Sequence, residues 1–337
     1  MNNEGIRAEP VQACPLCGRD GTLLQDGLQD RIFDAPGSWA HRFCAACEHA
    51  WLDPRPIASD ITRLYATYFT HDTTHIDDHR LGRIAQWSLG SYGYRNSSAA
   101  PEWVLRVTPG LRDLGAGEFY WLTAVPNGRL LDVGCGSGLF LARMRELGWQ
   151  VSGIEPDPQA ARIGRELRGL DIRDHAIDDL QPGSFDAVTL HHVIEHVPDP
   201  LATLAGVRRL IRPRGQLVVV TPNTRSIGRR IFQRNWIHWD PPRHLHLFSS
   251  RSLALVAQRA GFESKGIRTT ARSARFAWTA SRTIGSTGRA NVGRIRGPLQ
   301  WQSLAFQALE SAVLPVWPSA GEELVLTASP QPRMPES

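Results

Sequence analysis

The chain of 337 residues has no uninterrupted apolar run of about eighteen residues, so the sequence offers no candidate membrane-spanning helix. Its opening, MNNEGIRAEP, contains the acidic Glu4 and no apolar stretch, which is untypical of a secretory signal, and we expect a cytoplasmic protein. Internal repeats are also missing, which excludes solenoid architectures. Lysine is almost missing: Lys265 is the only one, so nearly all of the positive charge belongs to arginine.

Acidic residues are absent between Glu263 and Glu310. Over the same stretch the chain has a series of basic residues: Lys265, Arg268, Arg272, Arg275, Arg282, Arg289, Arg294 and Arg296. A basic stripe of this kind attracts phosphates, anionic substrates or lipid headgroups. It is equally typical of a solvated face in an arginine-rich protein, and the sequence leaves both interpretations open.

A glycine-rich bend follows an apolar run at residues 130–138, which read LLDVGCGSG. Gly134, Gly136 and Gly138 let the backbone turn tightly and approach a ligand without a Cβ in the way. We expect Cys135 to contribute its backbone there rather than its sulfur. The pattern predicts a nucleotide-type cofactor at the end of a strand.

Spacing and charge select the cofactor. A dinucleotide-binding loop needs its third glycine at position 139, where this chain has Leu139. Asp132 precedes the bend, and its carboxylate repels a pyrophosphate but attracts a ligand with an ammonium and a sulfonium group. Glu155 follows the next strand, in VSGIEPDP, where its two oxygens can accept both ribose hydroxyls. These features indicate S-adenosylmethionine.

Four of the five cysteines form two C-x-x-C pairs, Cys14 with Cys17 and Cys44 with Cys47. Each pair offers two thiolates to one tetrahedral ion, so together they predict a closed structural zinc shell with no position for a catalytic water. Disulfides are the alternative, which a reducing compartment disfavours. A ribbon of about forty residues buries too little core to stand alone, so we expect the metal to supply folding energy.

Strands and helices alternate from Arg129 onward, which indicates parallel βαβ units. Predicted strands lie near 129–133, 150–154, 170–173, 185–190, 216–221, 262–268 and 323–328. Predicted helices lie near 138–147, 158–168, 200–210 and 250–260. Gly261 follows the last helix, as a left-handed cap prefers.

The chain divides into segments of different composition. The predicted division is a zinc ribbon at 1–56, a helical cap or linker at 57–127, a cofactor-binding domain at 128–329 and a disordered tail at 330–337. A basic helical insertion at 269–320 belongs to the cofactor-binding domain. Its apolar part, 299–316, either lies on a lipid surface or packs on the sheet, and we favour packing.

Several motifs now match one family: CPLCG with FCAACEHAWLDPRP, LLDVGCGSG, GIEPDP, SFDAVTLHHVIEHVPDP, RGQLVVVTPN, DPPRHLHLFS and GEELVLTA. The chain resembles class I S-adenosylmethionine-dependent methyltransferases, and among them the bacterial methyltransferase-23-like group that has an N-terminal zinc ribbon. The resemblance implies an α/β, Rossmann-like sheet of seven strands in the order 3-2-1-4-5-7-6, with the final strand antiparallel. The cap and the basic insertion match no specific motif.

The resemblance, together with the bend itself, defines a set of expected cofactor contacts: Asp132, Gly134, Cys135, Gly136, Gly138, Glu155, Pro156, Ile177, Asp178 and His191. Within this set the resemblance puts Ile177 and Asp178 at the adenine, and it puts His191 with His192 at the methyl donor. His191 is a departure, because relatives commonly have a bulky apolar or aromatic residue there.

Methyl transfer from a sulfonium is an in-line displacement, so positioning the acceptor and excluding water matter most, and a hydroxyl acceptor must also lose a proton. His192 and His196 are the candidate catalytic residues, because they share one face if HHVIEHV begins a helix and imidazole suits general-base work. His192 is the better base, and His196 has a structural alternative in ordering a loop.

A divalent metal is a further alternative. Ubiquinone-pathway O-methyltransferases look similar here, and Glu195 with His196 could hold such an ion if His244 and His246 fold back toward them. We favour a loop-ordering role for the last two histidines. The loop that contains Trp236, His238, Trp239 and Arg243 follows the fifth strand and is expected to touch substrate, whereas Arg243 pairs either with an anionic group or within the protein.

The function that these features favour is O-methylation of a hydroxyl on a small or carrier-linked molecule, such as a sugar, a quinone-like ring or a secondary metabolite. The alternatives are a C-methyltransferase for a nucleotide-linked sugar, an RNA methyltransferase and an inactive cofactor-binding protein. Nucleic acid is not expected, because residues 191–194 lack the Asn/Asp-Pro-Pro-aromatic run that base-amine methylation favours. A membrane surface is not favoured as a partner, and the oligomeric state stays open.

Overall fold

The computed structural model of the protein describes residues 2–3, 5–65, 81–95, 109–174, 177–290 and 300–332. Parts of the predicted cap lie outside the described residues, as do Arg294, Arg296 and most of the predicted tail. The described part of the chain contains three β-sheets, two of them formed mainly by the N-terminal region and one by the C-terminal two thirds.

The N-terminal region folds into two small antiparallel sheets. Its six strands are β1 (Asn2–Asn3), β2 (Ile6–Glu9), β3 (Thr22–Leu28), β4 (Trp39–Cys44), β5 (His49–Leu52) and β6 (Arg55–Pro56). One sheet has the order β1-β2-β6, and the other contains β5, β4 and β3 as neighbours. The second sheet begins just after one C-x-x-C pair and contains the other at the turn between β4 and β5.

The main sheet contains seven strands, all near the predicted positions. They are β7 (Arg129–Val133), β8 (Gln150–Ile154), β9 (Asp171–Arg173), β10 (Phe185–His191), β11 (Ile211–Pro222), β13 (Phe262–Thr270) and β14 (Glu323–Pro330). Their spatial order is β13-β14-β11-β10-β7-β8-β9, and β14 runs antiparallel to both of its neighbours. The predicted order 3-2-1-4-5-7-6 with an antiparallel final strand is confirmed.

Helices connect these strands and cover both faces of the sheet. They are α1 (Ala58–Ile61), α2 (Arg83–Ser88), α3 (Pro109–Ala116), α4 (Leu139–Glu146), α5 (Pro158–Arg168), α6 (Pro200–Leu210), α7 (Ile227–Phe232), α8 (Ser250–Arg259), α9 (Ala274–Thr287) and α10 (Gln300–Val313). Side-chain caps start several of them: Asp157 accepts from Gln159 N at the start of α5, and Ser249 forms a capping box with Ser252 at α8. None of the helices in the described part of the chain has the length and hydropathy needed to cross a bilayer.

The segment after β10 differs from the prediction. HHVIEHV does not begin a helix: residues 192–199 form bends and turns, and α6 begins only at Pro200. The backbone leaves helical geometry at once, because His192 has a φ of +53°. Further on, the amides of Leu245 and His246 donate to the carbonyl of Glu195, so a distant segment replaces the helical hydrogen bonds.

That distant segment also joins the two halves of the protein. A short strand β12 (His246–Leu247) pairs with β5 and completes a four-stranded sheet in the order β12-β5-β4-β3. Trp51 of β5 lies in one hydrophobic cluster with Phe248 and Leu253, which belong to the C-terminal half. The N-terminal sheet is therefore built into the protein and does not stand apart as an independent ribbon.

Candidate functional site

The glycine-rich bend lies between β7 and α4, at the carboxyl end of the sheet. Gly134 and Gly136 have φ values of +70° and +54°, which favour glycine over other residues. A Cβ on Gly134 would lie 2.4 Å from Cγ2 of Val193, so the bend packs directly on the segment after β10. Any other residue would force these two loops apart.

Glu155 stands beside the bend and is oriented by it. Its Oε2 accepts a hydrogen bond from the amide of Gly136 at 2.7 Å, and its Oε1 accepts from the amide of Asp157 at 2.9 Å. The side chain is buried, and each carboxylate oxygen has a second lone pair. This arrangement can accept two vicinal hydroxyls, as a ribose presents them. Pro156 follows Glu155 and is exposed.

Asp132 is buried at the end of β7, under the bend. The hydroxyl of Thr189 on β10 donates to its Oδ1 at 2.6 Å. Burial raises the pKa of Asp132 to about 7, and the nearby Glu155 carboxylate acts in the same direction, whereas the Thr189 hydrogen bond opposes it. A bound cation would favour the ionised form of Asp132. The residues therefore suit a positively charged donor such as S-adenosylmethionine.

The remaining expected cofactor contacts differ in their surroundings. The side chain of Cys135 turns into the sheet, because a Cβ on Gly153 would lie 2.4 Å from its Sγ, and burial raises its pKa well above the usual range. A Cβ on Gly138 would meet Leu170 at 2.4 Å, so this glycine is required by packing. Asp178 is exposed and pairs with Arg209 at 3.0 Å. Its neighbour Ile177 packs against the core.

His191 ends β10 and is held on two sides. Its ring stacks on Tyr120 with centroids 4.4 Å apart and planes within 2°, and Tyr120 in turn stacks on Phe140 of α4 at 3.7 Å. The guanidinium of Arg272 donates to Nε2 of His191 at 2.7 Å. Burial foremost holds the pKa of His191 well below its usual range, so the imidazole is neutral and accepts this bond.

His192 lies between two buried carboxylates. Its Nδ1 is 3.0 Å from Oε1 of Glu195, and its Nε2 is 2.8 Å from Oε1 of Glu323 at the start of β14. Burial lowers the pKa of His192, but the hydrogen bonds and charges of the two glutamates outweigh it and raise the pKa to about 10. At neutral pH the ring is therefore an imidazolium that donates from both nitrogens.

His196 belongs to a second cluster. Nδ1 of His196 lies 3.1 Å from the carbonyl of Arg243, and Nδ1 of His244 lies 2.7 Å from the carbonyl of His238. Bonds of this kind fix each ring with its Nε2 as the acceptor. Ligand atoms of Glu195, His196 and His244 all lie within 4.8 Å of one another, so the cluster has the donor set for a divalent ion.

His246 does not join that cluster, although the sequence offered it as a further ligand. Its Nδ1 lies 3.0 Å from Nε2 of His49 on β5, inside the interface with the N-terminal sheet. This histidine orders the loop, as we favoured from the sequence.

The four cysteines Cys14, Cys17, Cys44 and Cys47 come together at the N-terminal sheet. Their sulfurs lie within 4.8 Å of one another, and the closest pairs, Cys14 with Cys47 and Cys17 with Cys44, are 3.5 Å apart. These separations exceed a disulfide bond length and match the spacing of about 3.8 Å between sulfurs around one tetrahedral zinc. The cysteines are free thiols that suit a zinc shell of four thiolates.

The loop after the fifth strand packs inward. Arg243 is fully buried and forms ion pairs with Asp30 at 2.7 Å and with Asp240, so the internal alternative for Arg243 holds. Trp236 is buried too, and its indole donates to Oε2 of Glu322 at 3.0 Å. Arg243 therefore fastens the loop to the N-terminal region, whereas Trp236 ties it to the start of the last strand.

Three residues that contact His191 or His192 were not identified from the sequence: Tyr120, Arg272 and Glu323. Together these five residues form what we call the mouth of the candidate site. Tyr120 was part of the apolar-rich cap, Arg272 was one of many arginines in the basic stripe, and Glu323 opened a strand in GEELVLTA. The two adjacent glutamates of that motif could have indicated a site, because a carboxylate at the buried start of a strand needs a hydrogen-bonding or charged partner.

Comparison with known proteins agrees with this geometry. Residues 111–264 match the family described as "Methyltransferase domain". Ubiquinone biosynthesis O-methyltransferase of Xanthomonas campestris pv. campestris (strain B100) is 44% identical over 109 residues, which are 30% of this chain and 45% of that protein. The Xanthomonas oryzae pv. oryzae (strain PXO99A) protein of the same name is 44% identical over 104 residues, 28% of this chain and 43% of that protein.

Among solved structures, an S-adenosylmethionine-dependent methyltransferase from Mesorhizobium loti is 16% identical, with a TM-score of 0.43, and the match covers 64% of this chain and 96% of that one. The sheet order is that of a class I methyltransferase fold, and the family match covers a little under half of the chain. The chain spans a little under half the length of the curated relatives it matches.

Proposed function

We propose that the protein transfers a methyl group from S-adenosylmethionine to a hydroxyl of a small or carrier-linked molecule. The observation that carries the proposal is the pairing of a buried aspartate and a buried, pre-oriented glutamate on either side of the glycine bend. Similarity to ubiquinone biosynthesis O-methyltransferases over 109 residues favours a quinone-like ring among the acceptors. A sugar or a secondary metabolite is the other acceptor within the same proposal.

The proposed cofactor pose follows the bend. Asp132 attracts the positively charged methionine end, the Gly134–Gly136 backbone lies against it, and Glu155 accepts the ribose hydroxyls. Ile177 and Asp178 border the adenine in this pose. Asp178 forms an exposed ion pair with Arg209. To contact the adenine, its carboxylate must either leave this ion pair or keep it outside the cofactor pocket.

His191, held between Tyr120 and Arg272, borders the sulfonium methyl group in this pose. A neutral imidazole suits this position, because it adds no further positive charge beside the sulfonium. The low pKa of His191 therefore supports its role beside the donor.

The charges at the mouth suggest how the acceptor loses its proton. His192 was the candidate base, but as an imidazolium with both nitrogens bonded it has no lone pair for a proton at neutral pH. We propose instead that His192 and the partly exposed Arg272 lower the pKa of the acceptor hydroxyl, which gives its proton to solvent on binding. The resulting oxyanion attacks the methyl carbon, the carbon–sulfur bond breaks, and S-adenosylhomocysteine leaves.

A metal-assisted version uses the second cluster. Glu195, His196 and His244 would hold a divalent ion, and the ion would lower the acceptor pKa in place of the two cations. The two versions differ in one readout: loss of activity on chelation and recovery on adding Mg²⁺ or Mn²⁺, with the zinc content unchanged, supports the metal. Activity that ignores chelation supports the cation pair.

The test of the main proposal is a methylation assay with a panel of phenols and sugar hydroxyls, read as S-adenosylhomocysteine formed. Asp132→Asn and Glu155→Gln should abolish turnover, because they remove the charges that hold the donor. Asp171→Asn is the matched control, since Asp171 is exposed on β9 and pairs with Arg173. Unchanged turnover in the first two variants would refute the proposal.

A further inference from the structure

One face of α10 is apolar and open to solvent. The exposed positions follow a helical spacing and form a single stripe: Trp301, Leu304, Ala305, Ala308, Leu309 and Ala312. Trp301, Leu304 and Leu309 are 68%, 48% and 56% exposed, and Val316 and Trp317 continue the apolar surface beyond the helix. The only charged residue of the helix, Glu310, is fully buried on the opposite side.

The opposite face of α10 anchors the helix. Phe306 is buried, and its ring lies 4.8 Å from that of Trp278 on α9. The amide of Gln307 donates to the carbonyls of Ala271 and Arg272, at 3.0 and 3.2 Å. The packing that we favoured for this segment is therefore present on one face, and the apolar stripe is a second face that remains uncovered by any described residue.

Positive charge lies on the neighbouring helix α9 and beside Trp317. Arg275 and Arg282 are seven residues apart on α9, so they lie on one side of that helix, and both are exposed. Arg282 lies over the ring of Trp278, and Arg230 lies 4.8 Å above the ring of Trp317. Among the described residues no acidic side chain forms an ion pair with Arg230, Arg275 or Arg282.

We propose that this surface, the stripe of α10 with Val316, Trp317 and the three arginines, docks the protein on the anionic headgroups and outer acyl region of a lipid bilayer. A charge-free apolar stripe with tryptophan at both ends is suited to the boundary between headgroups and acyl chains. The arginines add attraction to anionic lipids. A second copy of the chain fits less well, because its arginines would meet like charges.

The anchoring face of α10 contacts the candidate site. Gln307 of α10 bonds the backbone of Arg272, whose guanidinium bonds His191. The stripe is on the other side of the helix, so a docked bilayer would lie across α10 from these residues. Docking itself does not depend on the proposed methyl transfer.

The test is flotation of the full, zinc-loaded chain with vesicles of phosphatidylcholine alone and of phosphatidylcholine with phosphatidylglycerol. We expect binding to the anionic vesicles only, weakened by high salt. The double variant Arg275→Gln/Arg282→Gln should bind about thirtyfold more weakly, since each basic residue near such a surface contributes about 1 kcal/mol. The double variant Leu304→Ser/Leu309→Ser should lose binding.

The matched controls are Leu167→Ser and Arg162→Gln on α5, where both side chains are exposed near the opposite edge of the sheet. These should bind vesicles like the wild type. Binding of S-adenosylhomocysteine by calorimetry shows that each variant is folded. If the wild type floats with the vesicles but binds no S-adenosylhomocysteine, the proposed function fails and the docking proposal is unaffected. In that case circular dichroism replaces calorimetry as the test that each variant is folded.

Three results would overturn the docking proposal. The first is no flotation of the wild type with anionic vesicles, and the second is equal flotation after Leu304→Ser/Leu309→Ser. The third is a wild-type dimer in sedimentation velocity that this variant converts to monomer without any vesicle binding, which would assign the stripe to self-association.

Discussion

Replacing Glu323 with glutamine tests the charge pattern at the mouth. The variant keeps the size of the side chain and an acceptor near Nε2 of His192, which lies 2.8 Å from Oε1 of Glu323. It removes one of the two carboxylates that hold the imidazolium. An opposite charge at this range shifts a pKa by about 1–3 units, so we expect the pKa of His192 to fall from about 10 by that amount.

The proton on His192 links stability to pH. The folded pKa of about 10 lies above the ordinary 6.5, so between these values the folded protein holds a proton that the unfolded chain has lost. The stabilisation is complete below the lower value and disappears as the pH rises through the higher one, with a slope of about 1.4 kcal/mol per pH unit. At neutral pH the variant should lose about 1.4–4 kcal/mol of unfolding free energy.

Nitrogen-15 NMR of the His192 ring gives the pKa directly, and urea unfolding at several pH values gives the free energy. The difference in stability between wild type and Glu323→Gln should narrow as the pH approaches the folded pKa of the wild type. Glu263→Gln is the control, because Glu263 is exposed and pairs only with Lys265 in the described structure. A wild-type His192 that titrates near its ordinary pKa, or one unaffected by Glu323→Gln, would refute the reasoning.

Three further predictions concern the parts that hold the site in place. Elemental analysis should find one zinc per chain. Cys44→Ser or a strong chelator should lower Tm sharply, because a structural zinc contributes on the order of 10 kcal/mol to folding. A metal-free chain with an unchanged Tm would contradict this. Arg243→Met should lower the free energy of unfolding in urea by about 3–5 kcal/mol, since it leaves Asp30 and Asp240 buried without their cation. Replacing both aspartates with neutral residues as well should restore much of this loss. A decrease below about 1 kcal/mol for Arg243→Met would contradict the prediction. Burial and a neighbouring carboxylate raise the pKa of Glu310 from the usual 4.5 to about 9, so between these values the unfolded chain loses a proton that the folded protein keeps. Glu310→Gln should therefore change Tm little at the lower value and raise it increasingly up to the higher one; scanning fluorimetry that shows no pH dependence of the difference would contradict it.

The central sheet could be predicted from the sequence because its strands are continuous apolar runs between helices with clear caps. The largest boundary error is at β11, which begins at Ile211 and not near residue 216. Pro213 and Gly215 look like a turn, and the structure indeed has a register shift here against β10, but pairing of Ile211 with Phe185 continues the strand.

The segment after β10 shows the limit of local pattern. Histidines four apart indicated a shared helical face, yet the backbone of Glu195 bonds Leu245 and His246, about fifty positions away. Strand β12 escaped prediction for the same reason, because two residues have no periodicity of their own and pair only when β5 is already in place.

Only part of the candidate site could be predicted from the sequence. Asp132, Glu155 and the glycines lie close together in sequence and act through backbone geometry, which local spacing reveals. The partners at the mouth, Arg272 and Glu323, come from the far end of the chain, and only the fold brings them to His191 and His192. The protonation state of His192 depends on those partners, so the sequence alone favoured it as a base.

The central claim is that a carboxylate beside the glycine bend recognises a positively charged methyl donor. Calorimetry of S-adenosylmethionine binding to zinc-loaded wild type and Asp132→Asn tests it most directly. We predict affinity that rises with pH through about 7, where Asp132 is half ionised, and a loss of about 30-fold or more in the variant above that pH, since breaking a buried charge pair costs about 2 kcal/mol or more. Equal binding by both proteins at every pH, or no binding by the wild type, would contradict the account.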